Sequence, residues 1–173
     1  SHVVCIKARK MHPYPPQVVD LAVTIVRSDD REVVLEMDAV FNAAKVDPLL
    51  GRGCYAPELA AVLKKIGFDV GPTWYRIPAK GASKALEGQW RHLRADLQLG
   101  VPSIVCMHYS SRPQTTEHFR LIMGYDAASD QVLYHEPAEN DGLWRSMSRK
   151  EFKALWPLKY DEDRWTLIRF KLD

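Results

Sequence analysis

Three side chains of this sequence have the types needed for nucleophilic acyl chemistry: the thiol of Cys54, the imidazole of His118 and the carboxylate of Glu136. Cys54 follows Gly51-Arg-Gly and leads into Pro57-Glu58, the pattern of a helix start. At such a start the partial positive charge favours a thiolate, and N–H groups without intrahelical partners can hold a developing oxyanion. Arg52 adds positive charge nearby. The same residues also suit a small buried apolar side chain at a helix start, and both readings stand at this point.

His118 opens the segment Thr116-Glu-His-Phe-Arg-Leu-Ile-Met-Gly-Tyr-Asp126, and Glu136 closes Gln131-Val-Leu-Tyr-His-Glu136. If these strands form a hairpin in which Tyr125 faces Gln131, Glu136 lies opposite position 120 and His118 opposite position 138. Both side chains then share one face as diagonal neighbours. A slip of one residue would send them to opposite faces. An imidazole held by a carboxylate is how a base is oriented toward a thiol; the plainer alternative is a His and a Glu that both face water. Asp126 and Asn140 are fallback partners for His118 under a different register.

The remaining candidates are weaker. Cys106 lies within the apolar run Ile104-Val-Cys-Met107 and Cys5 within another, so both read as inert core thiols. His108, His118, His135, Glu117 and Glu136 fall on neighbouring strands, yet their spacing matches no metal-ligand pattern, and neither a metal nor another cofactor is expected. Of the tryptophans, Trp74, Trp90, Trp156 and Trp165 read as core or wall residues, and Trp144 as an exposed one.

The segments Gly100-Val-Pro-Ser-Ile-Val-Cys-Met107, His118-Phe-Arg-Leu-Ile-Met-Gly-Tyr-Asp126, Val132-Leu-Tyr-His-Glu-Pro137 and Met147-Ser-Arg-Lys-Glu-Phe-Lys-Ala-Leu-Trp156 resemble the C-terminal half of C39-like peptidases. These are papain-fold cysteine peptidases that include the bacteriocin-leader processing domains. The resemblance runs from about Gly51 to Trp156. It implies that Cys54 is the nucleophile, with Leu59, Leu63 and Gly67 at the family's spacing and Tyr55 where glycine is usual. It implies His118 as base and Glu136 as orienting carboxylate, in the place usually held by Asp. The glutamine that usually precedes the nucleophile is missing from Asp47 to Gly53. A second alignment puts the Cys54–Gly67 helix at the family's second helix. The nucleophile's place then falls near Pro15 to Val19, where Gln17 stands and no cysteine does, and the protein is a catalytically silent, peptide-binding relative. An acyltransferase using the same thiol is a third possibility.

These residues need a scaffold. Val3 to Ala8 reads as an edge strand, and Val18 to Val26 as a helix on the spacing of Val18, Leu21, Ala22 and Ile25, although its β-branched content also permits a strand. Met37, Val40, Phe41 and Ala44 form a helical stripe that ends near Asp47-Pro48. A helix over Leu59, Val62, Leu63 and Ile66 stops at Gly67, and another over Leu86, Trp90, Leu93 and Leu97 stops at Gly100. From Ser103 the period turns to strands: 103–109, 118–125, 131–136 and 164–172, with a short helix over 148–156. Residues 159–164 read as a solvated turn. The expected fold is α+β, a single papain-like domain over residues 1–173 with a helical N-terminal part packed on an antiparallel sheet.

Composition narrows the class. A length of 173 residues with 46% hydrophobic content suits one globular domain. The net charge of +2 is spread along the chain, which disfavours a nucleic-acid partner. No run approaches the roughly 20 apolar residues that span a bilayer. Three cysteines make no disulfide framework, and the odd count leans toward a reducing compartment such as the cytoplasm. Ser1-His2 reads as a cloning remnant with no visible signal peptide, which leaves the compartment open. The expected partner is a peptide or protein substrate; nothing in the sequence speaks to oligomeric state.

Overall fold

The structure is a computed structural model that describes residues 22–26, 32–36, 43–45, 53–112, 115, 117–139 and 141–173. The chain divides into two compact units, Ser1–Ile66 and Gly67–Asp173.

In the first unit, strands β1 (Ala22–Val26) and β2 (Glu32–Glu36) pair antiparallel, with Ala22 opposite Glu36 and Val26 opposite Glu32. The helix expected over Val18 to Val26 is therefore a strand where it is described. The run Val23-Thr-Ile-Val26 explains this, because branching at Cβ restricts χ1 in a helix and packs well on a pleated surface. The expected edge strand at Val3 to Ala8 lies outside the described residues, as does most of the stripe from Met37 to Ala44. Helix α1 (Ala56–Lys65) has Tyr55 as its N-cap. The Glu58 carboxylate accepts the Tyr55 N–H at 3.0 Å, and Pro57 sits in the first turn, where its missing donor costs nothing. Ala56, Val62 and Leu63 are buried, and Gly67, at φ 102°, follows the C-cap Ile66.

The second unit is a six-stranded antiparallel sheet with two helices. Its strands are β3 (Trp74–Pro78), β4 (Ser103–His108), β5 (Glu117–Asp126), β6 (Gln131–His135), β7 (Arg145–Ser148) and β8 (Arg164–Lys171), in the order β3-β8-β4-β5-β6-β7. Helix α2 (Ala82–Gln98) presents Ala82, Leu86, Trp90 and Leu93 to the core. It ends in a Schellman turn: Gly100, at φ 77°, donates to Leu97 O at 3.1 Å, and Val101 donates to Asp96 O at 2.9 Å. Helix α3 (Arg149–Leu155) starts on the Ser148 hydroxyl, which accepts the Glu151 N–H at 3.1 Å.

One face of the sheet carries Ile77, Val105, Met107, Ile122, Val132, Met147 and Leu167 into a core shared with Trp90, Leu93, Phe152 and Trp156. Trp90 meets Tyr125 edge-on at 5.0 Å and Phe152 at 5.7 Å. The fold is α+β with antiparallel pairing throughout the sheet. The expected order of helices first and strands afterwards is corrected by β1, β2 and β3, which all precede α2. Among the described residues no helix is long and apolar enough to cross a membrane.

Candidate active site

The period-2 alternation of β5 puts His118, Arg120 and Ile122 on the core face, opposite Met107, Val105 and Ser103 of β4. Glu136 follows directly on β6. Whether it meets His118 depends on the hairpin register, and that register has two phases. At the turn Tyr125 pairs with Val132, one residue away from the expected Gln131. A β-bulge then falls between Ile122 and Gly124. Beyond it Ile122 pairs with Tyr134 and Leu121 with His135, which is the expected register. His118 and Glu136 therefore share a face.

Nε2 of His118 is in hydrogen-bond contact with Oε1 of Glu136. The same oxygen accepts the Ala138 N–H at 3.1 Å, and Oε2 accepts Arg120 Nε at 2.7 Å. Arg120 also donates to the carbonyls of His108 at 3.2 Å and Tyr109 at 2.9 Å. Arg120 and Glu136 are 5% and 4% exposed, whereas the His118 side chain keeps 20% of its surface. The interior end of this array is thus sealed, and the imidazole is its accessible end. Tyr109 stands edge-on to the His118 ring at 5.2 Å.

Burial pushes the Glu136 carboxyl up, but the Ala138 N–H, His118 and the Arg120 charge outweigh it and hold the group below its ordinary value. In a neutral imidazole, a carboxylate that accepts at Nε2 favours the tautomer with its proton there. The lone pair of that tautomer is on Nδ1, the ring nitrogen turned away from Glu136.

Cys54 belongs to the first unit and is half-buried. It precedes the N-cap of α1 by one residue, so it stands just outside the helix start expected for it. Its thiol donates to the Tyr55 carbonyl at 3.4 Å. Cys106 is buried, with Sγ 3.6 Å from a Glu117 carboxylate oxygen. Burial first, and the Glu117 charge second, push that thiol far up, so it is chemically quiet as expected.

A sequence profile of the Peptidase_C39 like family matches residues 32–162 of this chain. The chain belongs to that family. Comparison with curated proteins and with solved structures finds no match.

In this C39-like chain the other candidates separate. Asp126 sits at the far end of β5, where it accepts the Ala128 N–H at 2.9 Å and caps the hairpin turn. His135 falls on the opposite parity from Glu136; its Nδ1 accepts the Trp144 N–H at 3.0 Å, with the two rings edge-on at 4.9 Å. Trp144 is 68% exposed at φ 55°, as expected, and Trp74, expected as a core or wall residue, is half exposed. Among the described residues no cluster of three or more His, Cys, Asp or Glu could hold a metal ion. Cys5, Gln17 and Asn140 lie outside the described residues.

The residue the sequence reading missed is Arg120. The available signal was its parity, since a charged side chain at an inward position of a strand must find a buried partner.

Proposed function

We propose that this C39-like chain is a cysteine-dependent hydrolase of peptide or related acyl bonds, with Cys54 as nucleophile, His118 as base and acid, and Glu136 as the carboxylate that orients His118. The observation that carries this reading is the His118–Glu136 contact through Nε2, which leaves Nδ1 as the basic ring nitrogen. In the reaction His118 takes the Cys54 proton, and the thiolate adds to the substrate carbonyl. The tetrahedral intermediate collapses as the imidazolium gives its proton to the leaving amine, leaving a thioester on Cys54. His118 then takes a proton from water, whose oxygen attacks the thioester, and an acid and the free thiol are released.

A second reading is a peptide-binding relative without turnover, supported by the absence from Asp47 to Gly53 of the glutamine that usually precedes the family's nucleophile. Alkylation kinetics separate the two. For the hydrolase, iodoacetamide labels Cys54 well below pH 8 and faster than a model thiol, and His118→Ala slows the labelling. Labelling at the model-thiol rate, unaffected by His118→Ala, overturns it. Peptide affinity that persists in Cys54→Ala without any turnover by the parent protein then supports the binding reading.

A further inference from the structure

We propose that Arg120 is the positioning residue of this site, holding the Glu136 carboxylate in the single orientation that keeps the His118 ring proton on Nε2. A glutamate has a longer, freer arm than an aspartate, and its terminal torsion is broad. Left alone, the carboxylate could rotate and meet the imidazole poorly. Here each oxygen is taken from a different side: Oε1 by His118 and the Ala138 N–H, Oε2 by Arg120 Nε.

Arg120 is itself fixed by backbone. Its two terminal nitrogens donate to the His108 and Tyr109 carbonyls at the end of β4, and its guanidinium lies over the rings of Tyr109 at 5.4 Å and Tyr134 at 5.5 Å. The rigid fork therefore transmits the position of β4 to the carboxylate, and through it to the ring. A lysine would supply the charge but not the fork.

The claim about the ring proton stands on this geometry; its consequence for rate rests on the reading of Cys54 as nucleophile. Two-bond 1H–15N correlation spectra of the His118 ring, recorded on its neutral form, test the first part. The parent protein should show the Nε2–H form as the main species. Arg120→Lys should bring the two tautomers to comparable populations and slow iodoacetamide labelling of Cys54 between roughly tenfold and a hundredfold. Glu136→Asp, which withdraws the carboxylate by one methylene from the fixed guanidinium, should redistribute the tautomers in the same direction, and it decides the matter if Arg120→Lys does not fold. Folded variants that keep the parent tautomer overturn the proposal. If the tautomer shifts while His118→Ala leaves labelling unchanged, the positioning role stands and the nucleophile reading fails.

Discussion

The carbonyl of Gly142 accepts the backbone N–H of Glu136 at 2.7 Å, and the two residues pack so closely that a Cβ on Gly142 would lie 1.8 Å from the Glu136 carbonyl oxygen. The loop after β6 is thus folded back onto the residue in contact with His118. A second bond, from the Gly142 N–H to Glu139 O at 3.0 Å, closes the turn from the other side.

Gly142→Ala should be among the most damaging small changes in the chain. The obstructing atoms are backbone, with Glu139 O at 2.9 Å as well, so no side chain can swing aside. Overpacking of this kind costs about 1–3 kcal/mol or more. Urea unfolding should register that loss, and the spectra of the His118 ring should change with it. A variant with parent stability would contradict the packing described.

Glu136→Gln should be destabilising at neutral pH and nearly harmless in acid. The folded carboxyl titrates below its ordinary value, because its hydrogen-bond and charge partners outweigh burial. Its contribution is therefore complete above the unfolded value of about 4.3 and is lost as pH falls through the lower folded value. The difference at pH 7 should be about 2 kcal/mol, the size of a charge-assisted hydrogen bond. Unfolding midpoints of the two proteins, measured from pH 7 down to pH 3, should converge. Parallel curves would mean that Glu136 is not ionised in the fold.

Trp90→Ala should remove the centre of the core under the sheet. The indole is 1% exposed and touches Tyr125 and Phe152, so its loss leaves a cavity between α2, β5 and α3. The expected cost is about 3–5 kcal/mol, read as a fall in unfolding midpoint. A loss under about 1 kcal/mol would show that the site collapses freely.

Helix α2 was legible in the sequence, whereas strands β3 and β7 were not. Helix α2 repeats its apolar side chains over four turns and closes on Gly100, so its pattern is unambiguous. Strand β7 turns only Met147 fully inward, and β3, flanked by Pro72 and ending at Pro78, buries Ile77 alone. Neither offers enough repeats to define a period. The His118–Glu136 pair was legible because residue type and parity agreed. Arg120 was not, since a charged residue within a strand reads by default as solvent-facing, and only its partners reveal the opposite.

The bulge between Ile122 and Gly124 has a consequence for how this hairpin can vary. It works as a vernier: the turn sets one phase, the bulge resets it, and only the reset phase reaches the imidazole. A hairpin loop changed by one residue should be compatible with the same His–Glu alignment if the bulge is lost in exchange. The geometry around His118 is in that sense insulated from the outer tip of its own strand pair.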